Sequence, residues 1–170
     1  MSTMRAGVIT VSDSRSSGQR QDTSGPAIVE ILQHAGFEVI ERTVVPDEKE
    51  QIQDALVRMV HTLGIDLIIT TGGTGLGARD VTPEATLGII DREVPGLAEA
   101  MRRESFRTTP HALISRAVTG IRRQTLIVNL PGSRKGVEEC LKVILPAIPH
   151  AIEILRGQVV ECARTVMSAE

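Results

Sequence analysis

Short β-branched runs alternate along this chain with longer segments in which apolar residues recur at helical spacing. Ala6-Gly7-Val8-Ile9-Thr10-Val11, Phe37 to Val45, Asp66-Leu67-Ile68-Ile69-Thr70-Thr71 and Thr125-Leu126-Ile127-Val128-Asn129-Leu130 read as strands. After the first strand, Ile28, Ile31, Leu32 and Ala35 form the apolar face of a helix with Ser24 as its N-cap and Gly36 as its end. Asp47-Glu48-Lys49-Glu50 opens a second helix with Ile52, Leu56, Met59, Val60 and Leu63 on one face, closed by Gly64. Val137, Leu141, Ile144 and Leu145 mark a later helix, which Pro146 and Pro149 should kink or interrupt.

Strands alternating with helices of this length predict an α/β fold, a single-domain doubly wound mostly parallel sheet flanked by helices. One domain is expected over residues 1–170, because a chain of 170 residues can bury a full core and neither a linker nor a repeat is visible. In such sheets ligands bind outside the carboxyl ends of the strands. Those ends carry Ser12-Asp13, Pro46-Asp47, Thr71-Gly72-Gly73-Thr74-Gly75 and Asn129-Leu130-Pro131-Gly132. The polar and glycine-rich segments therefore converge on one edge of the sheet.

The stretch TTGGTGLGARDVTPEA, residues 70–85, carries the most chemistry. Glycines after a buried strand permit positive φ and let backbone N–H groups approach an anion closely. Thr82-Pro83-Glu84 reads as a helix start with a capping hydroxyl and proline at the first helical position. Asp80 then lies between two anion-attracting elements, as a phosphate or pterin site with a metal-binding acid beside it would require. The stretch is neither a P-loop nor a dinucleotide fingerprint, since it lacks G-x-x-x-x-G-K-[ST] and G-x-G-x-x-G.

Composition removes other classes. Phe37 and Phe106 are the only aromatic residues, and the formal net charge is −2, so neither the stacking platform nor the phosphate attraction of a nucleic-acid binder is present. No apolar run reaches about 18 residues, which predicts no membrane span, and the N-terminus enters a strand without a signal core, so a cytoplasmic location is expected. Cys140 and Cys162 lack C-x-x-C spacing and read as buried thiols; His34, His61, His111 and His150 are scattered.

Several residues admit two readings. Asp47 is either a site carboxylate or the N-cap of the following helix, forming a capping box with Glu50. Asp13 and Asp22 belong either to the site or to Asx turns. Asp80 has no evident structural duty, which favours chemistry. Arg134 and Lys135 sit at a helix N-terminus, where the dipole disfavours cations unless an anion is near.

At TTGGTG, Asp80-Val81-Thr82-Pro83-Glu84-Ala85, Pro95-Gly96 and Asn129-Leu130-Pro131-Gly132-Ser133 the chain closely resembles the MogA/MoaB family of molybdenum-cofactor biosynthesis, from about Arg5 to Gly157. The resemblance implies a usually trimeric α/β domain that adenylylates molybdopterin with ATP and Mg²⁺, releasing pyrophosphate. It assigns catalysis and the metal to Asp47 and Asp80, and molybdopterin to Gly72, Gly73, Thr74, Gly75 and Ser115. Asp13, Asp22, Ser24, Asn129, Pro131 and Gly132 match positions around the nucleotide. It further implies a MoeA-like partner for molybdenum insertion, and leaves open a MoaB-like paralogue that binds molybdopterin without adenylylating it. Many relatives read PGSP where this chain has Pro131-Gly132-Ser133-Arg134, a loss of stiffness and a gain of charge.

Overall fold

In the computed structural model, which describes residues 3–158, the first strand β1 (Met4–Val11) is followed by a one-turn helix α1 (Asp13–Ser16) and then by α2 (Ser24–His34). β2 (Phe37–Val45), α3 (Lys49–His61) and β3 (Leu67–Thr71) follow, then the short α4 (Thr82–Leu87). The chain continues through β4 (Arg92–Glu93), α5 (Pro95–Phe106), a 3-10 turn (Pro110–Ile114), β5 (Thr119–Arg122), β6 (Thr125–Leu130), α6 (Arg134–Ile144) and α7 (Ile148–Leu155).

The six strands form one sheet in the order β2-β1-β3-β6-β5-β4. The first four are parallel; β5 runs antiparallel to β6, and β4 antiparallel to β5. These last two strands lack a recognisable apolar run because they are short and half-polar. The strand order reverses between β1 and β3, so the loops after them diverge and open a crevice at the carboxyl edge.

Alternation along the central strands builds a core on each face. Ala6 and Val8, Leu67 and Ile69, and Leu126, Val128 and Leu130 pack with α2, α5, α6 and α7. Ile9 and Val11, Ile68 and Ile127 pack on the other face with α3 and Ala85 of α4. Each fully buried Ile or Leu contributes about 1.5–3 kcal/mol of transfer free energy, enough for two such layers to hold the strand ends rigid. A second fastening lies at the amino edge, where Asp66 accepts the Arg5 N–H at 2.7 Å and pairs with Arg156 at 2.7 Å.

Several local expectations change. Ser24 does not cap α2: it is the first helical residue and fully buried, and Asp22 accepts the Gly25 N–H at 3.0 Å instead. Thr82 does not cap α4 either, because its hydroxyl donates 2.9 Å backwards to the Gly72 carbonyl. Asp47 is no cap, since Glu48 occupies that position and Asp47 is bonded elsewhere. Ser24 and Thr82 bond instead within the loops that lead into their helices, and Asp47 bonds across to the end of β1. Ser133 does cap α6, accepting the Gly136 N–H at 3.1 Å. A 3-10 turn at Leu145–Ala147 separates α6 from α7 where the prolines begin. Cys140 is buried, and Cys162 lies outside the described residues.

Candidate active site

Three strand ends meet at the crevice. β1 delivers Asp13 and β2 delivers Asp47, and the two are locked reciprocally: the Asp13 N–H donates 2.8 Å to Asp47 Oδ2, and the Asp47 N–H donates 3.0 Å to Asp13 Oδ1. β3 delivers the glycine loop. Gly72 has φ +99° and abuts the Val11 carbonyl, and Gly73 has φ +64° and abuts the Thr82 hydroxyl, so a side chain at either position would both strain the backbone and collide. A Cβ on Gly73 would stand 3.1 Å from Asp47 Oδ1, and one on Gly75 would stand 2.9 Å from Asp80 Oδ2. The loop is thus flanked by both predicted acids.

Electrostatics distinguish the carboxylates. Burial pushes the Asp47 carboxyl above the ordinary carboxylate range; the charges of Asp13 and Asp80 add to this, while the Asp13 N–H and Arg79 oppose it. Asp13 is held below that range by hydrogen bonds from Arg79 and from the Asp47 backbone. Arg79 donates to both Asp13 oxygens at 3.0 Å and reaches Glu48 at 2.7 Å. Asp80 accepts the Gly77 N–H at 2.8 Å, which gives it a modest turn-holding duty as well.

Arg116 shapes the same loop. Its backbone N–H donates to the Thr74 carbonyl at 2.9 Å, and its guanidinium donates to the carbonyls of Gly75 at 2.7 Å and Asp80 at 2.6 Å while pairing with Glu84. On the opposite side, Asp22 is bonded by Thr10 Oγ1 at 2.7 Å, Arg42 at 3.0 Å and the Ser24 hydroxyl at 3.3 Å. Burial opposes its charge, but the Gly25 N–H, the Thr10 hydroxyl and the nearby Arg15 and Arg42 prevail, and its carboxyl lies below the ordinary range. Arg15 donates 3.1 Å to Ser24 and 3.2 Å to the Gly132 carbonyl, joining that cluster to the loop after β6.

A cavity of about 440 Å³ adjoins the glycine loop, between α5, the 3-10 turn and α6. Thr74, Gly75 and Ser115 line it, as do Asn129 and Pro131. The structure therefore places Gly132 with Ser24 and Asp22, but Asn129 and Pro131 on the other side of the loop. The Asn129 side chain is consumed internally: it donates 2.9 Å to Thr70 and 2.9 Å to Thr86 and accepts the Val118 N–H at 3.1 Å. Arg15, Arg79 and Arg116 are the participants that sequence reading did not single out. Their partners lie up to 117 positions away, and no local pattern encodes them.

A crevice at the strand-order switch, with close-packed acids, a glycine loop and an adjoining cavity, defines an α/β protein with the layout in which such sheets bind ligands at their carboxyl edge. The chain belongs to the family described as "Probable molybdopterin binding domain", which matches residues 7–150. It is 41% identical over 159 residues to the molybdopterin adenylyltransferase of Helicobacter pylori strain J99, covering 92% of this chain and 90% of that one. It is 41% identical over 184 residues to the molybdopterin adenylyltransferase of Escherichia coli K12, covering 99% and 94%. The crystal structure of the molybdopterin biosynthesis enzyme MoaB from Thermus thermophilus superposes with a TM-score of 0.87 at 51% identity, covering 91% of this chain and 98% of that one.

Proposed function

We propose that this chain is a molybdopterin adenylyltransferase of molybdenum-cofactor biosynthesis, using ATP to form adenylyl-molybdopterin and pyrophosphate. Its relationship to adenylyltransferases over nearly the whole chain supports the activity. The observation that carries the site assignment is the glycine loop itself, which borders the 440 Å³ cavity at Thr74 and Gly75 and touches both acids at Gly73 and Gly75. A ligand in the cavity and a nucleotide over the acids would meet across that loop.

The reaction suits these residues. A phosphate monoester has a second pKa near 6, so the terminal phosphate of molybdopterin is largely ionised at neutral pH and needs no strong base. One of its oxygens attacks the α-phosphorus of ATP, and the bond from that phosphorus to the oxygen bridging the β-phosphate breaks to release pyrophosphate. The protein has to position two anions and neutralise their charge. In this reading the loop N–H groups of Gly72, Gly73, Thr74 and Gly75, with Ser115, hold molybdopterin. Asp22 and Ser24, through Arg15, shape the nucleotide side together with Asp13 and Gly132; Asn129 and Pro131 contribute as scaffold beneath both.

Asp47 and Asp80 fit Mg²⁺ and would be its ligands. Their oxygens are hard donors, and the repulsion that Asp47 suffers from Asp13 and Asp80 is what a divalent cation relieves. Two carboxylates suit a Mg²⁺ that arrives with nucleotide phosphates, and when bound it would neutralise their charge.

A homotrimer belongs to the same proposal, supported by the exposed apolar side chains of Phe106, Leu113 and Ile114 around the end of α5. Light scattering at micromolar concentration tests it, and a monomer mass would remove it. A cytoplasmic location and transfer of product to a MoeA-like insertion partner complete the reading. Among the described residues no helix is long and apolar enough to cross a membrane. Incubation with ATP, Mg²⁺ and molybdopterin, followed by pyrophosphate assay, tests the activity. Retention of the pterin without pyrophosphate would instead identify a binding-only MoaB-like paralogue.

A further inference from the structure

The cavity beside the glycine loop is chemically uneven. At one end stand Thr74, Gly75 and Ser133, which offer N–H groups and hydroxyls. Six residues beyond Ser133, about 9 Å along the axis of α6, the wall carries the half-buried Glu139. The neighbouring Cys140 Sγ lies 3.8 Å from the Ser105 hydroxyl, so this second end lies against the packed α5–α6 interface.

A carboxylate in the wall of a cavity for an anionic ligand is unfavourable unless the ligand presents donors to it. Lys135 does not resolve this: its Nζ is 3.8 Å from Glu139 Oε1 and its side chain is 77% exposed, and a loose, solvated pair of this kind stabilises little. A pterin supplies what is missing. Its 2-amino group and ring N3–H are parallel donors, spaced like the fork by which a guanidinium holds a carboxylate bidentately.

We propose that Glu139 reads the pyrimidine edge of the pterin, accepting one hydrogen bond from the 2-amino group and one from N3–H. The phosphate then points to the glycine loop. The inference rests on the assignment of this cavity to molybdopterin. Glu139 thereby determines specificity, rejecting pteridines that carry oxygen in place of the 2-amino group, because that oxygen would face a carboxylate with no proton between them.

Fluorescence titration of the intact protein with pterin and with lumazine, its 2-oxo counterpart, tests this. The unsubstituted protein should bind pterin at least about tenfold more tightly, as expected of a site that pairs with a polar edge, and Glu139→Gln should bring the two within about threefold. The same substitution should raise KM for molybdopterin by about tenfold or more while KM for ATP and Tm stay unchanged, which separates edge reading from damage to the fold. Equal binding of the two pteridines, binding of neither, or survival of the preference in Glu139→Gln would overturn the proposal. Absence of pyrophosphate release by the unsubstituted protein would instead sink the adenylylation reading, and the pteridine preference would remain as the separate test of Glu139.

Discussion

Asp13 and Asp47 each accept the other's backbone N–H, at 3.0 and 2.8 Å respectively, so the ends of β1 and β2 are tied by a carboxylate pair of which Asp47 also faces the glycine loop at Gly73. The pair fixes Asp47 at the cost of placing two negative groups together, and Arg79 compensates through Asp13 and Glu48. Asp80, beyond the loop, completes an acidic rim whose repulsion favours a bound cation.

Asp80→Asn should abolish adenylylation while leaving molybdopterin bound. Asparagine keeps an acceptor for the Gly77 N–H, so the turn should survive, but it removes the charge that the proposed Mg²⁺ would require. Single-turnover pyrophosphate release should fall by about three orders of magnitude with pterin affinity preserved. Turnover within about threefold of the original, less than about 1 kcal/mol, would show that Asp80 is not the metal ligand.

Ser24→Ala should weaken ATP binding more than molybdopterin binding, by way of Arg15 rather than through loss of a cap. The hydroxyl donates to Asp22 and accepts from Arg15, whose other nitrogen reaches Gly132. Removing it leaves a guanidinium bond unmade at a buried position and should cost about 1–2 kcal/mol of stability. Calorimetric titration and urea unfolding measure the two effects; unchanged ATP affinity would reduce Ser24 to a structural role.

Asp22 should make stability depend on acid pH. Its carboxyl is held below the ordinary range in the folded protein, so the unfolded chain takes up its proton first as pH falls. Its stabilising contribution is therefore complete above the ordinary carboxylate pKa and is lost as pH drops through the depressed folded value. Asp22→Asn should be clearly less stable than the original near pH 6, with the gap narrowing towards pH 3. Urea unfolding at both values gives the comparison, and a gap independent of pH would contradict it.

Arg116→Met should impair both binding and stability. It strands the carbonyls of Gly75 and Asp80 and leaves Glu84 unpaired, a loss of about 2 kcal/mol or more for charge-assisted bonds. Arg116→Lys should recover little, since an ammonium cannot span those positions with a planar fork. KM for molybdopterin and Tm should move together in both variants. A lysine variant with original kinetics would show that charge, not geometry, is what the loop needs.

The alternation of β-branched runs with helical spacing determined the central parallel strands, both packed faces and the crowding of Asp13, Asp47, Gly72–Gly75 and Asn129–Gly132 at one edge. Periodicity reports which face of an element is buried, and that is a local property. Tertiary structure decided where each polar side chain turns. Ser24, Thr82 and Asp47 all carry capping residue types, yet Ser24 pairs with Arg15 and Thr82 with Gly72 in the loops that lead into their helices, and Asp47 reaches across to Asp13 after β1, because the folded loops offer these side chains partners other than the first N–H groups of the helix. The same holds for Arg15, Arg79 and Arg116, whose partners lie 117, 66 and 41 positions away. It also holds for the split between Gly132 and Pro131: adjacent residues at a strand end face a guanidinium and a cavity respectively, a division set by which helices close over the β3–β6 junction.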